Sequence, residues 1–256
     1  MVQTQPKPAE PGWFTRIAHP GMFMGWSRHL VVPLSVATGL AFAVGLYFSF
    51  LASPADYQMG DTVRMMYVHV PSAWLSPFCY AVMFFSAIVT LVWRHPMADV
   101  SQKAAVPLGA AFTALALFTG SMWGRPTWGT FWEWDGRMTS TLVLLFIYLG
   151  LIALWRAFDD QLKAARIVAV LTLVGAINIP IIKFSVDWWQ TLHQPASVFR
   201  TDGPTVDGSI LVPLLVMTLA FSLLFLTLHL VRMRTEVTKR RIRSLELAQA
   251  RAGEGA

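Results

Sequence analysis

The run Trp123-Gly-Arg-Pro-Thr-Trp-Gly-Thr-Phe-Trp-Glu-Trp-Asp135 decides how the rest of the chain is read. Four tryptophans fall within thirteen residues, interleaved with two glycines, a proline, an arginine and two carboxylates. Apolar runs long enough to cross a bilayer flank it on both sides, each of about twenty residues. The stretch is too polar and too broken to lie in lipid, yet too aromatic for an ordinary solvated loop. Tryptophan is favoured where one side of a residue is wet and the other apolar, which describes a membrane interface and equally a site for a flat ligand.

Outward from that stretch, the composition is that of a membrane protein. Of 256 residues 55% are hydrophobic and only 13% charged, against roughly 25% charged in soluble domains. Hydropathy places six spans, at about 30–51, 72–93, 104–122, 138–155, 167–182 and 210–231, in a single membrane domain. The tryptophan-rich segment, 123–138, joins the third to the fourth, and a basic, helix-prone tail follows at 232–256. Pro71 and Ser72 are expected to open the second span, leaving His69 in the connector before it; residues 1–29 form a polar start and an aromatic approach to the first. No short apolar core with a cleavage site marks a secretory signal. The expected fold is therefore an all-α integral membrane protein of six transmembrane helices.

An even number of spans puts both termini on one side. Fifteen of the twenty Lys and Arg lie in the terminus-side segments and five in the opposite ones, so the positive-inside rule predicts cytoplasmic termini. The tryptophan stretch then faces outward. The net charge of +6 does not signal nucleic acid, because seven of the basic residues lie in the tail from Arg232 to Arg251, directly after an apolar run. Such tails report orientation and contact with anionic lipid. The single cysteine, Cys79, sits within an apolar run and excludes disulfides, thiolate metal sites and a CxxCH haem-attachment motif. There is no GxxxxGK[ST] phosphate loop, so any ATP use belongs to another subunit. The spans do not divide into two similar halves, which removes support for an inverted-repeat transporter.

Six histidines are present, and only His69 and His193 fall on the outer side. A lone histidine in such a place is ordinarily a hydrogen-bonded interface residue. Two of them, on the face that holds the tryptophans, suggest ligands. Two imidazoles make a poor zinc site, but they are the right number for the axial positions of a haem iron, whose other four ligands come from the porphyrin. The tryptophans would then supply flat apolar surface, and Arg64, Arg125 and Arg137 are candidates to pair with the propionates. Within the stretch, Gly124, Pro126 and Gly129 argue against regular helix in the first half. Thr130 and Glu133 have capping-box spacing, which predicts a short amphipathic helix from Thr130 towards Met138. On it Phe131, Trp134 and Met138 would share one face, and Trp132 and Asp135 another.

Trp128-Gly-Thr-Phe-Trp-Glu-Trp-Asp135 fits the pattern WGxxWxWD and resembles the WWD-domain haem-handling proteins of cytochrome c maturation. Span number and length make the chain most similar to the CcmC branch, and the resemblance covers essentially the whole chain. It implies a bacterial inner-membrane protein with its WWD segment on the periplasmic face and haem b as cargo. His69 and His193 look like the family's two axial iron ligands. Trp128, Trp132, Trp134 and Asp135, with Trp123 and Gly129, look like the surface that holds haem for transfer. The resemblance also implies delivery to the haem chaperone CcmE, which attaches the haem through its own histidine, and work beside the ATP-binding CcmA, the membrane subunit CcmB and the small CcmD. The chain is expected to be a delivery protein and not an enzyme. Two other readings stand beside it: a transporter of haem or another solute, and a structural membrane subunit whose outer aromatic segment docks a partner protein.

Overall fold

The computed structural model describes residues 19–189, 191–193, 197–198 and 201–254. Residues 1–18 of the aromatic approach, and Pro195 and Arg200 ahead of the last span, lie outside the described residues. Helix α1 is Pro20–Tyr47, continued by a wider turn over Phe48–Ala52; a tight turn at Asp61–Met65 leads into α2, Met66–Trp93. Then come α3 (Ala98–Trp128), α4 (Gly136–Ala157), α5 (Gln161–Gly175), α6 (Asn178–Trp188) and α7 (Gly208–Glu254). Taking α5 and α6 as one interrupted span, six stretches among the described residues are long and apolar enough to cross a membrane. The shortest, α4, has 22 residues, which rise about 33 Å against a hydrocarbon core of about 30 Å.

The helices run beyond the apolar segments that hydropathy marks, because polar residues continue a helix into the interfacial layer. Pro20 at the first position, with the His19 side chain accepting from the Gly21 N–H at 3.2 Å, starts α1 ten residues ahead of the expected span. Pro71 does not open α2. The helix starts at Met66, so His69 stands in its first turns and not in a preceding loop. The Ser53–Tyr67 hydroxyl pair, 2.5 Å apart, ties that start to the end of the first span.

Inside the bundle the polar groups answer one another. Ser76 of α2 meets Thr113 of α3 at 2.6 Å, and the Tyr148 hydroxyl of α4 donates to the Ser76 carbonyl at 2.8 Å. Gln102 of α3 donates to Thr172 of α5 at 2.9 Å, and Tyr80 donates to the Thr172 carbonyl. Where no water can satisfy a backbone or hydroxyl group, such pairs fix helix register. Around them a buried apolar cluster joins α2, α3, α4, α5 and α7 through Leu75, Phe112, Leu144, Val168, Leu214 and Phe225. Helix α1 leans on α7 through the Thr38–Thr227 pair at 3.0 Å. Its outer face of Val32, Val36 and Leu40 is exposed, as a lipid-facing surface requires. The break between α5 and α6 follows from Pro180, which cannot donate to the Ala176 carbonyl; Ile179 takes that carbonyl instead, at 3.0 Å.

Candidate functional site

At the far end of α3 the aromatic stretch takes a shape that differs from the sequence expectation. Gly124 and Pro126 do not break the helix, which runs on to Trp128. A proline in the last turn forfeits only one hydrogen bond, and the Thr127 hydroxyl returns to the Trp123 carbonyl at 2.8 Å. Gly129 ends the helix in the left-handed conformation, φ +81°, donating to the Arg125 carbonyl at 3.0 Å. The predicted helix from Thr130 is absent. The Thr130 hydroxyl accepts from the Trp132 N–H (3.3 Å) and donates to the Trp132 carbonyl (3.0 Å), a local turn that competes with helix. Residues 130–135 are non-helical, and Asp135 is the residue that caps α4, accepting from Met138 N–H at 2.7 Å. The two faces expected for that helix therefore do not exist; Trp132 instead sets its ring edge-on to Trp134, 5.4 Å between centroids.

Asp135 does more than cap. It is buried, 6% exposed, and its second carboxylate oxygen accepts from His193 Nδ1 at 2.7 Å and from the Thr191 hydroxyl. Thr191 in turn accepts the His193 backbone N–H at 3.1 Å. Burial pushes the Asp135 carboxyl up, but the bonds from Thr191, Met138 and His193 outweigh it and hold the carboxyl below its ordinary range. Burial of His193 outweighs the pull of Asp135, so its imidazole lies below the ordinary histidine range and is neutral at pH 7. A carboxylate only accepts, so the imidazole proton sits on Nδ1 and the lone pair on Nε2.

His69 is fixed in the same sense by different elements. Its Nδ1 lies 3.0 Å from the Ala116 carbonyl and 3.2 Å from the Thr119 hydroxyl. That hydroxyl's proton goes to the Leu115 carbonyl at 2.7 Å, so it too presents a lone pair to Nδ1. Nε2 is again the nitrogen left without a partner among the described residues. Helix α3 makes room through Gly120, where a Cβ would come within 2.8 Å of His69 Cε1.

One helix holds both rings. Trp123 meets His69 edge-on at 5.8 Å, and Trp128 meets His193 edge-on at 4.9 Å. Those tryptophans are five residues apart, about 7.5 Å of helix rise. Through these ring contacts and the Asp135–His193 bond the structure ties His69, Trp123, Trp128, His193 and Asp135 into one cluster, with Arg137 two residues beyond Asp135. Gly129, Trp132 and Trp134 form its outer lip, with Trp134 72% exposed. Beside the lip, an open groove of about 430 Å³ runs between α4 and α6, lined by Trp134, Asp135, Thr139, Asn178, Ile181 and Trp189.

The three arginines separate. Arg64 is committed to the Phe50 and Ser53 carbonyls and to Asp61, 3.1 Å away. Arg125 donates to the Gly129 carbonyl and lies over the Phe131 ring at 5.5 Å. Arg137 keeps a buried Nε without an acceptor among the described residues, as do the indole nitrogens of Trp123 and Trp132. Unpaired buried donors are costly, and a bound anion would satisfy them. Among the described residues no three His, Cys, Asp or Glu side chains are placed to hold a bare metal ion. Two neutral imidazoles, flat apolar walls and unpaired donors suit a planar metal chelate that brings its own equatorial ligands and carries carboxylates. Thr119, Gly120 and Thr191 were missed from the sequence; their only sign is proximity to residues far away in the chain.

The chain matches the family described as CcmC, Heme exporter protein C, over residues 13–248. It is 61% identical over 234 residues to Heme exporter protein C of Bradyrhizobium diazoefficiens, covering 91% of this chain and 89% of the relative. It is 45% identical over 214 residues to the protein of the same name from Escherichia coli, covering 84% and 83%. A ccmC-like mitochondrial protein of Marchantia polymorpha, named for cytochrome c biosynthesis, is 44% identical over 179 residues, covering 70% and 75%.

Proposed function

The chain belongs to the CcmC family, heme exporter protein C, and from that footing we propose that it holds haem b on its outer face and hands it to the haem chaperone CcmE during cytochrome c maturation. His69 and His193 ligate the iron through Nε2, one from each side of the ring. Trp123 and Trp128 brace the two imidazoles, and Trp132 and Trp134 form the lip from which the haem leaves. Arg137 receives a propionate. The groove beside Trp134 gives the porphyrin a lateral approach between α4 and α6. The haem is cargo and no turnover is assigned to the chain. The periplasmic face of a bacterial inner membrane is the setting, CcmA, CcmB and CcmD are the companions, and the lipid bilayer is the surrounding medium.

The observation that carries this reading is the matched pair of imidazoles, each with Nδ1 tied to an acceptor-only oxygen and Nε2 left free, held by one aromatic helix. Oriented histidines whose far nitrogen is hydrogen-bonded are the usual form of a metal ligand. Conduction through the bundle is a poorer reading, because polar groups inside it, Ser76, Thr113, Gln102 and Thr172, are bonded to each other. The test is formation of haem-loaded CcmE in cells carrying His69→Ala or His193→Ala. Loss in both is expected; undiminished loading in both would remove the proposal.

A further inference from the structure

At the other end of α3, twenty residues from Trp123 and so about 30 Å away, a cleft of about 290 Å³ opens between α3, α4 and α7. Lys103, Arg156, Arg232 and Lys239 face it, against the single carboxylate of Glu236. That carboxylate is already matched: Lys103 lies 2.8 Å from it and Arg240 3.0 Å. Arg232 uses its Nε on the Ala104 carbonyl at 3.1 Å, while Arg156 and Lys239 form no ion pair among the described residues. The cleft therefore carries surplus positive charge. It also carries an unanswered donor: Trp155, 5% exposed, lines it, and its indole N–H finds no acceptor among the described residues.

All three helices change character in the same direction. Lys103 gives way to Val106 and Pro107 on α3, and Arg156 to Ile152 on α4, with each apolar residue set deeper into the spanning segment. On α7 the charged side chains of the cleft, Arg232 to Lys239, follow the apolar run. Cations above and an apolar wall below are the layout of a phospholipid at the membrane–water boundary, with phosphate outward and acyl chain inward. A free phosphate would have no use for the apolar wall.

We propose that this cleft binds the phosphate headgroup of an anionic phospholipid, fastening α3, α4 and α7 at the end of the bundle that bears the basic tail. The cations and the Trp155 indole hold the phosphate oxygens, and Val106, Pro107 and Ile152 receive the start of an acyl chain.

The test uses the full chain purified in a mild detergent, probed by native mass spectrometry with phosphatidylglycerol, phosphatidylcholine and inorganic phosphate. The wild type should retain one phosphatidylglycerol in preference to phosphatidylcholine, and millimolar inorganic phosphate should not displace it. The double variant Arg156→Gln/Lys239→Gln, whose side chains are exposed, should bind phosphatidylglycerol at least tenfold more weakly, and Arg156→Lys/Lys239→Arg should restore binding. Folding is checked independently by thermal unfolding of each variant. Equal retention of the two lipids, equal retention by wild type and double variant, or displacement by inorganic phosphate would each overturn the proposal.

Discussion

At the scale of single residues, Asp135 is the joint of the site, because one carboxylate caps α4, orients His193 and receives Thr191. An asparagine there has one acceptor oxygen for these three donors. Asp135→Asn should therefore weaken haem retention by roughly 10–100-fold, the usual effect of removing a partner behind a ligating histidine, while the protein still inserts. Measured haem occupancy equal to wild type would contradict the role. Gly120 offers a steric check on the opposite ligand. Gly120→Ala puts a methyl group against the His69 ring and should lower haem occupancy, whereas Ala at Gly150, where open space surrounds the position, should not. Absorbance per chain of the two purified variants compares them. The two histidines could be picked out in the sequence because they alone fall at or near the segments that the positive-inside count assigns to the outer side. What ties each of them could not, since Asp135 and His193 are 58 residues apart and Ala116 is 47 from His69. Such pairings arise only when helices dock.

At the scale of elements, α3 is the scaffold: its last two turns present Trp123 and Trp128 to the two histidines, and Gly129 stops it. Gly129→Ala would place a Cβ in a left-handed backbone at a cost of about 1–2 kcal/mol. It should loosen the lip of Trp132 and Trp134 and so speed haem dissociation, with the axial-ligand spectrum of the bound fraction unchanged. A dissociation rate equal to wild type would show that the lip does not depend on this turn. The hydropathy pattern conveyed that six spans exist, since about twenty apolar residues in a row have few alternatives to a bilayer. Breaker and capping signals misplaced structure inside the aromatic stretch, where Gly124 and Pro126 act as tolerated last-turn residues and Thr130 turns back on Trp132. Local capping signals are ambiguous when two candidates lie five residues apart, and here the buried Asp135 prevails because it satisfies α4 and His193 together.

At the scale of the whole molecule, the bundle has the histidine–tryptophan cluster at one end of α3 and a basic cleft at the other, and the positive-inside count assigns those ends to opposite sides of the membrane. The chain has one cysteine, Cys79, which is buried, so introduced cysteines report sidedness cleanly. Glu133→Cys should react with a membrane-impermeant maleimide in intact spheroplasts, and Ser244→Cys only after lysis; the reverse pattern would invert the topology. The central claim is that one haem is held between His69 and His193. The absorption spectrum of the purified chain, beside those of His69→Ala and His193→Ala, tests it most directly. Wild type should show haem with two nitrogen axial ligands, and each single variant should lose that signature. Paired-ligand spectra that persist unchanged in both variants would contradict the account.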